Sequence, residues 1–169
     1  SWQNFFPTES SERKVFDHAV DAIQGHKELS VPITDALIKK IHHPKVKFVL
    51  TGQQPGLAGG NYLVCLKAMG ALANAKKLEK QLAEPIIPIF WIASDDSDLK
   101  ECNILHYPKV MRLSFDDSSQ NLPLGSRYFT KEHQDQLWNF FPNLKKAGAY
   151  KAGDDFAVAM AKSLYHHLP

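Results

Sequence analysis

The chain has 169 residues, of which 44% are hydrophobic, and a formal net charge of +2 from 20 basic and 18 acidic residues. This length and composition suffice for one domain with a buried core, and no long run of one charge indicates nucleic-acid or membrane-surface binding. No apolar segment reaches the roughly 18 to 20 residues that span a bilayer. The two cysteines, Cys65 and Cys102, form no CxxC pair that would indicate a disulfide framework or a structural zinc site. We therefore expect a cytoplasmic protein that binds neither nucleic acid nor membrane.

The first 45 residues are predicted to be helical. Apolar residues recur at helical spacing over Glu12–Gln24, and Thr34 can cap a second, short helix that must end before Pro44. The sequence begins with Ser1 and ends within a helical pattern, as a piece of a longer protein would.

A βαβ unit is predicted from residue 46 onward. Val46–Leu50 is β-branched and apolar, a long amphipathic helix begins at Asn61 and stops before Pro85, and the continuous apolar run IIPIFWIA is typical of a buried parallel strand. A third strand is expected in KVMRLSF, and two further helices at Lys131–Phe141 and Asp154–Leu168. The fold class is therefore α/β.

A loop rich in glycine, FVLTGQQPGLAGGNY, joins the first strand to the long helix. In a βαβ unit this loop lies at the carboxyl edge of the sheet, before the positive end of the helix dipole, where an anion binds favourably. Gly56, Gly59 and Gly60 can each supply a positive φ, and Gln53 and Gln54 add amide groups without charge. The spacing matches neither a Walker loop nor a dinucleotide fingerprint. The alternative is that the glycines only allow a tight turn between strand and helix.

An acidic loop, SDDSD, follows the second strand. It is expected at the same sheet edge as the glycine loop, so that the two loops share one crevice. Its carboxylates could bind magnesium, accept a ribose hydroxyl or act as a general base, and the sequence does not choose among these. The alternative is a solvated turn whose aspartates cap the next segment.

Two further side chains are weaker candidates. Lys67 can reach back from the helix toward a phosphate, although a lysine on an amphipathic helix is usually solvated. His106 lies near Cys102 in the sequence, but no metal-ligand spacing links them. The sequence predicts no metal ligand.

Two segments carry a resemblance to a known family. The family is that of the cysteine-adding enzymes of bacillithiol biosynthesis, which are cysteine ligases. Its VTGQQxGLxxGPLYTxxKA segment resembles FVLTGQQPGLAGGNYLVCLKA in this chain, and its PVVPVFWIAxEDHD segment resembles PIIPIFWIASDDSD. The resemblance implies a Rossmann-like βαβ three-layer domain with a parallel sheet, preceded by amino-terminal helices, in a substantially longer enzyme. We expect one domain over residues 1–169, with a helical region at 1–45 and an α/β core at 46–169. A helical region outside this chain would allow oligomers to form.

The resemblance also implies an activity. Enzymes of this family join the carboxyl group of cysteine to the amine of glucosaminyl-malate. Because a free carboxylate must be activated before it forms an amide, the expected co-reactant is ATP with magnesium, which the sequence itself does not identify. The family's EDHD is DDSD here, which places Ser97 where the family has a histidine, and its GPLY is GNYL. Serine cannot shuttle a proton near neutral pH. The alternative is therefore a non-catalytic or divergent nucleotide- or anion-binding α/β module.

The site residues follow from these two loops. The predicted catalytic residues are Asp98, as general base, and Asp96. The residues expected to line the pocket for substrate or nucleotide are Thr51, Gly52, Gln53, Gln54, Gly56, Gly59, Asn61, Tyr62, Ser94, Asp95 and Ser97.

Overall fold

The computed structural model describes residues 34–106, 109–115 and 121–167. The helix predicted at Glu12–Gln24 lies outside these residues. The helices are α1 (Asp35–Ile41), α2 (Tyr62–Leu82), α3 (Leu99–Cys102), α4 (Lys131–Phe140), α5 (Pro142–Lys146) and α6 (Phe156–His167). The strands are β1 (Lys47–Gln53), β2 (Ile86–Ile92), β3 (Ile104–Leu105) and β4 (Met111–Arg112), and short 3₁₀ turns lie at Leu57–Gly59 and Leu124–Ser126.

Strands β1 and β2 pair in parallel, as the βαβ prediction requires. The register runs from Lys47 opposite Ile86 to Gln53 opposite Ile92. Strand β1 is longer than predicted because pairing continues through Gly52, where a β-carbon would lie 2.7 Å from the Trp91 carbonyl oxygen. A glycine at this position therefore allows β2 to approach closely, right up to the edge where both loops begin.

Helix α2 connects the two strands and packs on both of them. The Asn61 side chain caps its first turn by accepting the Val64 amide at 3.3 Å. Its buried side is made largely of alanines, Ala68, Ala71 and Ala75, which let the helix axis approach the sheet closely. Helix α2 thus begins directly behind the glycine loop.

The sheet has helices on both faces. On one face, Ile41 of α1 packs with Phe48 and Ile87. On the opposite face, Val64 of α2 and Met160 of α6 pack with those residues of β2 whose side chains point away from the Ile87 face. This arrangement, helix, parallel sheet and helix, confirms the Rossmann-like three-layer α/β fold.

The chain after β2 forms a second part of the core. Phe129, Tyr150 and Phe156 are almost completely buried there, together with Leu137 of α4 and Leu144 of α5. The expectation of a strand throughout KVMRLSF is wrong for most of that segment, since two residues, Met111 and Arg112, pair, and they do so antiparallel with β3. The polar groups of the next residue, Leu113, bond instead to Asn103.

No helix within the described ranges is both long and apolar enough to cross a lipid bilayer.

Candidate functional site

The glycine loop turns sharply between β1 and α2. Ala58, Gly59 and Gly60 all have positive φ, at 54°, 86° and 89°. Gly60 must be glycine for a second reason, because a β-carbon there would lie 2.7 Å from Val64 Cγ2. The expectation of positive φ is wrong for Gly56, whose φ is −144°, an extended conformation that any residue can adopt.

Three backbone amides of this loop bond within the protein. The Gly59 amide donates to the Tyr150 hydroxyl at 3.1 Å, and the Gly56 amide donates to Met160 Sδ at 3.3 Å. The Gly60 amide donates to the Leu57 carbonyl at 2.9 Å. Because these donors are occupied, they are not presented to an anion as the amides of a phosphate-binding loop would be.

The side chains of the loop form a hydrogen-bonded chain that runs from a cation to a carboxylate. Lys67 Nζ donates to Gln53 Oε1 at 2.6 Å and to the Gly52 carbonyl at 3.3 Å. Gln53 Nε2 donates to Gln54 Oε1 at 3.4 Å, and Gln54 Nε2 donates to Asp96 Oδ2 at 2.7 Å. The structure thus joins the glycine loop directly to the acidic loop, and the charges at the two ends fix the orientation of both amides.

Asp96 is the charged end of this chain. Its other oxygen, Oδ1, accepts the Asp98 amide at 2.8 Å. The bond from the Asp98 amide, followed by the bond from Gln54, lowers the pKa of Asp96 below its ordinary value. Asp96 is therefore ionised near neutral pH and is a weaker base than an ordinary carboxylate.

The remaining residues of the acidic loop make mainly structural contacts. Asp98 caps α3, since its Oδ1 accepts the Glu101 amide at 3.3 Å. The Ser94 carbonyl accepts the Gly125 amide at 2.8 Å, and the side chains of Asp95 and Ser97 are exposed. These bonds are those expected of the alternative in which the aspartates cap and stabilise a turn.

A cleft of about 330 Å³ lies between the glycine loop and the segment that contains α3 and β3. Five of the predicted site residues line it, namely Gln53, Gln54, Gly56, Asn61 and Tyr62. The facing wall includes Glu101, Cys102 and His106. The predicted residues that are not part of the lining are Thr51, Gly52, Gly59, Ser94, Asp95, Asp96, Ser97 and Asp98.

The cleft offers side-chain amides, one carboxylate and one imidazole. Burial, with smaller contributions from Asp96 and Asp98, raises the pKa of the Cys102 thiol to about 12, so this thiol is not a nucleophile near neutral pH. Glu101 and His106 are exposed at the cleft and accessible to a ligand. Among the described residues, no group of three or more histidine, cysteine and acidic side chains is arranged to hold a metal ion.

The sequence prediction missed part of this site. Tyr150 contacts the loop from 91 residues away in the sequence, and no local pattern marks it. The sequence raises His106 only as a metal ligand near Cys102 and the acidic loop, whereas in the structure it lines the cleft. The sequence favours a solvated surface position for Lys67, whereas its spacing of five residues from Tyr62 places it about one and a half turns into α2, within reach of the loop.

Comparisons with known proteins agree with the resemblance in the sequence. The family described as "Bacillithiol biosynthesis BshC, N-terminal Rossmann-like domain" matches residues 3–165. A protein of Natranaerobius thermophilus named "Putative cysteine ligase BshC" is 32% identical over 131 residues, covering 75% of this chain and 24% of that protein. A protein of the same name from Carboxydothermus hydrogenoformans is 38% identical over 133 residues, covering 68% of this chain and 25% of that protein. The chain spans about a quarter of the length of these relatives.

Proposed function

This chain belongs to the family of BshC amino-terminal Rossmann-like domains, and we propose that it is the part of a cysteine ligase that binds glucosaminyl-malate. In the proposed reaction the ligase joins cysteine to this substrate in bacillithiol biosynthesis, in the cytoplasm. The observation that carries the proposal is the hydrogen bond of 2.7 Å from Gln54 to Asp96, which joins the two loops beside the cleft. We also propose that any oligomer forms through the part of the enzyme outside this chain.

The polar groups of the cleft suit a hydroxylated amine. The side-chain amides of Gln53, Gln54 and Asn61 can donate to and accept from the sugar hydroxyls. The carboxylate of Glu101, on the facing wall, complements the ammonium group of the glucosaminyl moiety. Such a set of side chains can bind an amine substrate without a bound metal ion.

Lys67 supplies the positive charge that the malate moiety requires. Its ammonium group contacts two neutral oxygens, of Gln53 and Gly52, and forms no ion pair in the part of the chain that the structure describes. An ammonium group has three donors, so one remains for a carboxylate. Lys67 does not itself line the cleft, but it bonds to Gln53, which does. The proposal therefore places the malate end of the substrate on the Gln53 side, toward Lys67, and the amine end near Glu101.

The glycine loop does not fit the phosphates of ATP in the manner of a phosphate-binding loop. The amides of Gly56, Gly59 and Gly60 bond to Met160, Tyr150 and Leu57, respectively. A triphosphate held there would leave those partners without their donors. We therefore propose that no residue of this chain activates the cysteine carboxyl group.

The chemistry that remains for this chain is the handling of the amine. Amide formation requires a neutral amine, so a proton must leave the ammonium group before its nitrogen attacks the activated carboxyl carbon. Glu101 and His106 line the cleft and are the groups placed to accept that proton. Asp98 stays a predicted general base, although its carboxylate caps α3.

A non-catalytic nucleotide- or anion-binding module is the second candidate. It is favoured by Ser97, which stands where the family has a histidine, and by the use of Asp98 as a helix cap. Calorimetric titration with ADP and with inorganic phosphate tests it. Binding of either probe by a chain that has no affinity for glucosaminyl-malate would favour this module over the ligase.

Calorimetric titration with glucosaminyl-malate tests the main proposal. We expect the wild-type chain to bind it and the double variant Gln53→Ala/Gln54→Ala to bind at least about tenfold more weakly, because two amide contacts are lost. The matched control is Gln136→Ala, on the exposed side of α4, where the amide bonds to Glu132. Lack of wild-type binding, or equal affinity of the double variant, would overturn the proposal.

A second variant tests the charge assignment. Lys67→Met should weaken the binding of glucosaminyl-malate and of free malate, whereas Lys76→Met, at an exposed position of the same helix, should leave both unchanged. Circular dichroism checks that each variant is folded. If Lys67→Met binds malate as well as the wild type does, Lys67 is not part of the binding site, and the assignment of the glutamines is unaffected.

A further inference from the structure

We propose that Tyr150 is a positioning residue that fixes the conformation of the glycine loop. Its hydroxyl donates to the Gly56 carbonyl at 2.5 Å and accepts the Gly59 amide at 3.1 Å. One phenol thus bridges the two ends of the 3₁₀ turn. The inference deepens the proposed function, since it rests on this loop being the one that binds substrate.

The position of the hydroxyl is itself tightly constrained. The Tyr150 side chain is completely buried, and its ring contacts the Phe129 ring edge-on, with centroids 5.1 Å apart. The adjoining backbone is held by side chains of α4, because Trp138 Nε1 donates to the Ala149 carbonyl at 2.9 Å and Gln134 accepts the Ala152 amide at 3.1 Å. The hydroxyl therefore cannot follow a loop that moves away from it.

The backbone of Tyr150 adopts a conformation that its side chain does not favour. Its φ is +59°, in the left-handed region, where residues other than glycine are uncommon. Strain of this kind persists where the surrounding structure enforces it, and it often occurs at functional sites. Here the left-handed turn brings the buried hydroxyl to the loop.

The protonation state suits this role. Burial raises the pKa of Tyr150 above its ordinary value, and the bond from the Gly59 amide opposes that shift only in part. The phenol therefore keeps its proton under physiological conditions and remains a donor to the Gly56 carbonyl. Met160 completes the support by accepting the Gly56 amide at 3.3 Å.

Tyr150→Phe tests the proposal because it removes the hydroxyl and keeps the ring in the core. The expected result is amide hydrogen exchange at Gly59 and Gly60 faster by about tenfold, together with weaker binding of glucosaminyl-malate by a similar factor. Met160→Leu, which keeps the side-chain volume and removes the sulfur acceptor, should accelerate exchange at Gly56. The matched control is Ile41→Val, a core change on the other face of the sheet.

The control separates a local effect from a loss of stability. Ile41→Val should lower the melting temperature without changing loop exchange or ligand affinity. Unchanged loop exchange in Tyr150→Phe, or a change no larger than in Ile41→Val, would overturn the positioning role. So would accelerated exchange with unchanged affinity in a chain that binds glucosaminyl-malate. Should the wild-type chain not bind that probe, the proposed function fails, and the exchange comparison still decides whether Tyr150 fixes the loop.

Discussion

Replacing Asp96 with asparagine removes the negative charge that ends the hydrogen-bonded chain between the two loops. The carboxylate accepts Gln54 Nε2 at 2.7 Å and the Asp98 amide at 2.8 Å. Asparagine keeps one oxygen of similar shape, so the variant loses a charge and one acceptor without leaving a cavity. Its effect therefore reports on the link between the loops.

The expected loss of stability is modest. A hydrogen bond to a charged group contributes about 1.5 to 3 kcal/mol when it is well shielded. Asp96 is half-buried, and solvent screening lowers that contribution, so we expect a loss of about 1 to 2 kcal/mol in the free energy of unfolding. For a chain of this size each kcal/mol shifts the melting temperature by about 2 to 4 °C.

The loss should depend on pH with a definite sign. In the unfolded chain Asp96 has its ordinary pKa of about 3.8, and in the folded chain the pKa is lower. Ionised Asp96 therefore stabilises the folded state fully above pH 3.8, and this contribution disappears as the pH falls further, through the folded pKa. The difference in stability between wild type and Asp96→Asn should close over that acidic range.

Urea unfolding of both proteins, measured from neutral pH downward, tests this prediction. The matched control is Asp95→Asn, the exposed neighbour, which should change stability little at any pH. The reasoning is refuted if the difference persists unchanged well below pH 3.8, or if Asp95→Asn destabilises as much as Asp96→Asn.

Two other predictions concern the elements around the loops. Gly52→Ala should cost about 1 to 3 kcal/mol in urea unfolding, because its β-carbon would lie 2.7 Å from the Trp91 carbonyl oxygen. Gly70→Ala, in open space on α2, should instead stabilise the protein by about 0.5 to 1 kcal/mol, and equal effects would contradict the close approach of β1 to β2. Iodoacetamide under native conditions should alkylate half-exposed Cys65 before Cys102, because Cys102 is buried and its pKa is raised to about 12. Peptide mass spectrometry gives the order of labelling, and the reverse order would contradict the burial of Cys102.

The βαβ unit could be predicted because its signals are local. A β-branched run followed by glycines, then helical spacing that begins at Asn61, specifies strand, loop and helix without knowledge of distant contacts. The Asn61 cap and the parallel pairing follow from that order. Strand β1 extends past its predicted end at Leu50 because pairing with β2 continues through Gly52, which sequence propensity disfavours in a strand.

The meeting of the two loops could also be predicted, from the rule that parallel strands end at one edge. The particular side chains that meet could not be predicted, because Gln54 and Asp96 are 42 residues apart and the acidic loop offers several aspartates. Tyr150 lies still further from the loop in the sequence, and its role depends on how α4 and the turn before α6 pack. Long-range contacts of this kind leave no periodic pattern in one sequence.

Mapping glucosaminyl-malate on the wild-type chain by NMR titration is the most direct test of the proposed site. The account predicts that the side-chain amide signals of Gln53, Gln54 and Asn61 shift as the substrate is added, while that of Gln136 stays in place. Shifts confined to residues outside the cleft, or none at substrate concentrations in the millimolar range, would contradict the claim that the cleft between the glycine loop and the segment with α3 and β3 binds the amine substrate.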